Sequence, residues 1–217
     1  AAAADVEQEA VSVIFSHTHA AGLLGMDRVE MPGGELIPAY LESLYQVMED
    51  LVQTAVSQLA PVTLVYGEGF CDLARQRDLW DEQGNQFVCG FNPNGSADST
   101  LLAVKIEDAE GGWAGSIVNY GCHPTSLAWE NRLISPDCPG AMRDLIEHQT
   151  GAPCLFVQGI CGDLGPRDGF SGDPEVADRN GRQLGHAALA TLVSLPPAGS
   201  CQQYSGPVVS GATIGTW

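Results

Sequence analysis

Positive charge is what this sequence most lacks. Nine Lys plus Arg stand against 27 Asp plus Glu in 217 residues, a formal net charge of −18 at pH 7. Such a surface repels the phosphate backbone and anionic lipid headgroups. That argues against nucleic-acid binding and favours neutral or cationic substrates, or bound metal cations. No run approaches the roughly 20 apolar residues of a membrane span, so no transmembrane segment is expected. A serine-hydrolase elbow, G-x-S-x-G, is missing, and so is a phosphate-cradling P-loop. None of the seven cysteines forms a C-x-x-C pair, so a zinc–thiolate site is not expected. There is no internal repeat. Ala1-Ala2-Ala3-Ala4-Asp5 lacks the basic and long apolar regions of a signal peptide and reads as a helix entered midway. The chain stops at Trp217 inside a segment with strand character. Both ends are expected to be cuts in a longer protein.

What is present suffices for one domain with a full core, since 44% of residues are hydrophobic. The cysteine count is odd. Cys122, Cys154 and Cys161 lie in apolar or Gly-rich runs and read as small buried hydrophobes. Cys71 and Cys89 flank one loop and form a candidate bridge. The compartment is left open by this usage.

Hydrophobic spacing yields a mixed order of elements. The apolar residues 11–15 read as a buried strand ending at Ser16-His17-Thr18-His19, with a Gly-bearing loop beyond. Residues 26–36 form a loop broken by Pro32-Gly33-Gly34. Ile37, Leu41, Leu44, Met48, Val52 and Val56 recur at three- and four-residue steps, predicting an amphipathic helix of about 22 residues stopped by Pro61. Residues 62–66 alternate like a strand, and residues 67–99 show no period. Residues 100–107 and 113–120 predict a hairpin. A helix follows over 139–149, with Asp137 as its N-cap and Gly151 past its end. Residues 154–158 read as a buried strand, and 175–195 as a second long helix carrying Leu184, Ala188, Leu192 and Leu195 on one face. The class is α/β or α+β with a mixed sheet.

Three predicted strands end in loops bearing His17 and His19, His123, and Asp163. Function in open α/β sheets collects at the carboxyl ends of strands. If those ends lie side by side, three imidazoles and a carboxylate converge, the donor types of a catalytic zinc site with one position left for water. Two histidines at i and i+2 of an extended segment face the same way. Asp163 has a rival role capping the turn in Gly162-Asp163-Leu164-Gly165-Pro166. Arg77 is a candidate anchor for an oxyanion; its rival role is an ion pair with Asp72, Asp78 or Asp81. Arg167, Arg179 and Arg182 sit among acids and are expected to be paired. His148 falls in the last turn of a helix, where a cation suits the dipole, and His186 in an Ala-rich helix.

Four motifs in order carry a resemblance. They are Ser16-His17-Thr18-His19, Asn119-Tyr120-Gly121-Cys122-His123-Pro124-Thr125-Ser126, Ser135-Pro136-Asp137-Cys138-Pro139-Gly140 and Gly162-Asp163-Leu164-Gly165-Pro166. Together they resemble the N-terminal catalytic domain of neutral/alkaline non-lysosomal ceramidases, over most of the chain. The resemblance implies an α/β fold of αββα layers with a mixed sheet, truncated here at both ends, and a zinc ion that serves cleavage of the ceramide amide. It makes His17 and His123 zinc ligands and His19 a neighbour facing substrate. Arg77 would be the active-site arginine, with Arg75 as the alternative alignment. It implies a small-molecule or lipid-amide substrate and a secreted or periplasmic protein, and leaves homo-oligomerisation open. Two departures stand out. Gly165 occupies the place of the family's catalytic serine, and the remaining ligands, a Glu and a Tyr, fall beyond Trp217.

The expectation is therefore a zinc-dependent amide hydrolase over residues 1–217, with His19, Arg77 and Asp163 in catalysis and a metal-activated water as nucleophile. A catalytically inactive binding or structural module is the alternative that Gly165 motivates. A disulfide-stabilised extracellular assembly protein is a third.

Overall fold

The computed structural model describes residues 6–217. The expected helix over the opening alanines lies outside the described residues. The elements run α1 (Ile37–Ser57), β1 (Thr63–Phe70), β2 (Ala74–Gln76), β3 (Asp78–Asp81), β4 (Gln86–Cys89), β5 (Thr100–Glu107), β6 (Trp113–Tyr120), α2 (Asp137–Thr150), β7 (Cys154–Gln158), β8 (Leu164–Pro166), α3 (Pro174–Ser194), β9 (Gly206–Ser210) and β10 (Ala212–Thr216).

The main sheet has the order β1-β5-β6-β7, antiparallel except for the parallel β6–β7 pair that α2 connects. This is the mixed sheet expected from the order of elements. Both helices lie on one face. Leu101 and Ala103 of β5, Val118 and Tyr120 of β6, and Phe156 of β7 meet Met142 and Ile146 of α2 and Leu184, Ala188 and Leu192 of α3. The alternation of β5 and β6 buries every second side chain here. A Cβ at Gly181 would lie 2.5 Å from Cys138 O, so the close approach of α3 to α2 requires glycine there. Tyr120 Oη donates to Cys71 O at 2.8 Å and accepts from Ala74 N at 2.9 Å, pinning the start of β2 to the core. Leu64, Tyr66 and Phe70 on the sheet's other face stay exposed.

Several expectations fail for physical reasons. Residues 11–15 make no ladder and are not a buried strand: Val13, Ile14 and Phe15 are 61%, 49% and 78% exposed. Apolar β-branched composition does not build a strand without an edge to pair with. The stretch 67–99 is more regular than its composition suggests, because β1 extends to Phe70 and β3–β4 form a hairpin with Trp80 stacked edge-on to Phe87. Helix α1 has the expected length, yet only Ile37 is buried and Tyr45 and Leu51 face outward. Asp137 is not the N-cap but the first residue of α2, in the left-handed region at φ 56. All seven cysteines are thiols; Cys71 is buried and Cys89 exposed, so the suggested bridge between them does not form. Arg179 and Arg182 pair with Asp168 and Glu175, whereas Arg167 has no carboxylate partner among the described residues. No described helix is long and apolar enough to cross a membrane.

Candidate active site and metal centre

The parallel register sets the site. Tyr120 of β6 is level with Gln158 of β7. Each chain then runs three residues beyond its strand, to His123 and to Cys161. The two loops nearly touch: Gly159 N donates to Tyr120 O at 2.9 Å, and a Cβ at Gly121 would strike Ile160 O. His123 is 7% exposed. Its Nδ1–H donates to the carbonyls of Cys161 and Leu164. With that proton on Nδ1, Nε2 carries the lone pair.

His17 and His19 arrive on the strap of residues 16–21. Thr18 Oγ1 donates to Ser135 O at 2.8 Å and Ser135 N donates to Ala20 O at 2.9 Å. His17 has φ 63, so the i, i+2 geometry of an extended segment does not apply; a turn presents the two rings instead. The three imidazoles form a triangle with centroid distances of 4.7 Å for His17–His123, 5.0 Å for His17–His19 and 5.4 Å for His19–His123. His17 Nε2 is 3.0 Å from His123 Nε2.

That separation suits a metal. Zinc with two nitrogens at 2.0–2.1 Å in tetrahedral geometry sets them about 3.3 Å apart. One ring nitrogen each of His17 and His123 and the Sγ of Cys161 all lie within 4.8 Å of one another, a group that could hold an ion. The carbonyl that orients His123 through Nδ1 is the usual outer support of a metal-bound imidazole. Cys161 was hidden in the sequence as a small apolar residue; the equal three-residue offset from paired strand ends is the signal that finds it.

Burial, above all, holds His123 below the ordinary histidine pKa, with Arg77, His17 and His19 adding to the effect and the Cys161 carbonyl opposing it. His19 is lowered for the same first reason, then by His17 and Arg77, against Asp137. Both are neutral at pH 7 on that account.

Arg77 follows β2, which pairs with β8 beyond the Cys161 loop. Its Nε and Nη2 donate to Gly162 O at 3.2 and 2.8 Å, and its backbone N–H to Asp163 O at 2.9 Å. It has no carboxylate partner among the described residues. Arg75 instead pairs with Asp72 at 3.0 Å and bonds the carbonyls of Asp72 and Ala74, a local brace. The carboxylate of Asp163 turns to solvent and accepts from Gln76 Nε2 at 2.9 Å, outside the imidazole group. His148 and His186 are exposed on α2 and α3 and join nothing at the site.

A cleft of roughly 660 Å³ opens beside His19, lined by Thr125, Trp129, Arg132, Ile134 and Phe170. Thr125 is 4% exposed and its hydroxyl has no partner. A Cβ at Gly165 would meet Arg77 Cδ at 3.7 Å and Thr125 Oγ1 at 3.8 Å, ordinary contacts, so a side chain fits there. A second, apolar groove of roughly 520 Å³, lined by Leu23, Leu24, Met31, Leu36 and Tyr40, meets the cleft at Ala21 and Ile134. Among the described residues, three of the four non-glycine residues in the left-handed region, His17, Asp137 and Phe170, border this site. Such conformations cost about 1–3 kcal/mol each and cluster where function demands them. Asp137, 2% exposed, is held there by accepting from Leu127 N at 3.0 Å and Cys138 N at 2.6 Å.

No family model matches the sequence. The chain is 26% identical over 208 residues to neutral ceramidase of Pseudomonas aeruginosa, covering 91% of this chain and 30% of that protein. It is 25% identical over 196 residues to neutral ceramidase A of Dictyostelium discoideum, covering 77% and 26%. Two solved structures share the fold: a ceramidase complexed with C2, at a TM-score of 0.56, and the neutral ceramidase of Pseudomonas aeruginosa, at 0.55. Each is 24% identical, covering 70% of this chain and 26% of theirs. The chain thus spans under a third of the length of these relatives. In sequence the chain is similar to neutral ceramidases, and it shares the fold of the two solved ceramidase structures.

Proposed function

We propose that this chain is a zinc-dependent hydrolase that cleaves an amide of the ceramide-like N-acyl type. The observation that carries the reading is the pair of Nε2 atoms 3.0 Å apart, with the lone pair of His123 set by its Nδ1 hydrogen bonds. His17 and His123 would hold the ion. Bound there, zinc would supply Lewis acidity and lower the pKa of water towards neutrality. His19, neutral and open to the cleft, takes the proton from the attacking water and returns it to the departing amine. The Arg77 guanidinium, fixed on Gly162 O, is a positive charge placed for a developing oxyanion. Asp163 acts at most by steadying Gln76 beside this loop. The apolar groove beyond Ala21 and Ile134 suits a hydrocarbon chain on one side of the amide. Similarity to neutral ceramidases supports the substrate class.

The test is hydrolysis of a fluorescent N-acyl sphingosine, with and without chelator, beside metal analysis of the purified protein. Stoichiometric zinc and chelator-sensitive cleavage support the reading; cleavage that survives complete metal removal overturns it. Gly165 favours a second reading, a ceramide-like ligand bound without turnover. Binding of the N-acyl sphingosine with no product over long incubation selects that one.

A further inference from the structure

The metal-binding group has a third member that the histidine reading leaves idle. Cys161 Sγ lies within 4.8 Å of a ring nitrogen of His17 and of a ring nitrogen of His123. We propose that Cys161 is a third protein ligand, so that the centre is a two-imidazole, one-thiolate site; this rests on the metal reading above.

Three observations support it. His123 and Cys161 each lie three residues past the paired Tyr120 and Gln158. The backbone carbonyl of Cys161 accepts from His123 Nδ1, so the residue that orients one ligand carries the next donor. In a tetrahedral site with Zn–N of 2.0–2.1 Å and Zn–S of 2.3 Å, nitrogen and sulfur sit about 3.5 Å apart. From the 4.8 Å bound, the group needs to close by at most about 1.3 Å to reach that geometry.

The chemistry follows from the donor. Binding of a divalent ion displaces the thiol proton to solvent and forms one metal–sulfur bond, with no change in oxidation state. A soft thiolate makes the site prefer Zn²⁺, Co²⁺ or Cd²⁺ over Mg²⁺ or Ca²⁺.

Cobalt reads the sulfur directly. Metal-free protein titrated with Co²⁺ should bind one ion per chain and develop an intense near-ultraviolet sulfur-to-cobalt charge-transfer band that Zn²⁺ abolishes. Cys161→Ser should remove the band and weaken binding at least tenfold, whereas Cys122→Ser should keep it. Zinc-edge X-ray absorption on the unaltered protein avoids any folding defect of the variant and should show a sulfur scatterer near 2.3 Å. Stoichiometric binding that depends on His17 and His123 but shows no charge-transfer band and no sulfur shell overturns this inference and leaves the histidine site standing. No stoichiometric binding of either ion overturns both.

Discussion

Residues 6–57 and the body formed by β5, β6, α2, β7 and α3 contribute to one site in opposite ways. The body buries Leu101, Val118, Met142, Ile146 and Leu184 almost completely. From that base it presents His123 and Cys161, with His123 already oriented by the Cys161 and Leu164 carbonyls. The N-terminal part leaves Phe15, Leu23, Tyr45 and Leu51 exposed and reaches the body through the strap around Thr18. One imidazole of the triangle, His123, is therefore built on the sheet, and two, His17 and His19, are laid over it by a few hydrogen bonds. Preorganisation differs within a single centre, and metal affinity should depend on how cheaply the strap is held down.

Four experiments break or sharpen this contrast. Leu101→Ala should lower the stability of the body by about 2–5 kcal/mol. Leu51→Ala on α1 should change it by less than about 0.5 kcal/mol. Urea unfolding of both variants checks the pair, and comparable losses would remove the distinction. His123→Ala should abolish stoichiometric zinc and lower turnover by more than about a hundredfold, beyond the 10–100-fold expected for an outer partner. His148→Ala should leave zinc content unchanged. Thr18→Ala removes the strap's side-chain bond, worth about 1 kcal/mol. Metal affinity should fall about fivefold, measured by competition with a chromophoric chelator, while the ligand-free melting temperature stays put. The smallest effect is expected for Gly165→Ser. Its Cβ makes only ordinary contacts and its hydroxyl lies in reach of the orphaned Thr125 Oγ1, so stability should hold within about 0.5 kcal/mol. A crystal structure of that variant should show the two hydroxyls bonded.

Elements that carry their own periodicity were legible in the sequence. The β5–β6 hairpin, β7 and α3 fall where alternation, helical spacing and flanking turn residues put them. The His17, His19 and His123 loops were legible as candidates because imidazole at a strand end is chemically conspicuous. Residues whose meaning depends on a partner were not. The apolar 11–15 run looked like a strand, but no edge receives it. Asp137 looked like an N-cap, but its carboxylate is committed to Leu127 N and its backbone is left-handed. Asp163 looked like a site carboxylate, but Gln76 holds it outward.

The sequence by itself determined the mixed α/β class, the acidic surface that argues against nucleic-acid binding, the helices, the hairpin and the histidines worth watching. Those follow from local spacing and side-chain chemistry, which need no knowledge of distant neighbours. Only the tertiary structure decided that His17 and His123, 106 residues apart, meet at 3.0 Å, and that Cys161 rather than Asp163 joins them. The parallel register of β6 and β7 brings the His123 and Cys161 loops side by side, and the strap around Thr18 brings His17 to them. A register is a property of two strands together, written in neither one alone.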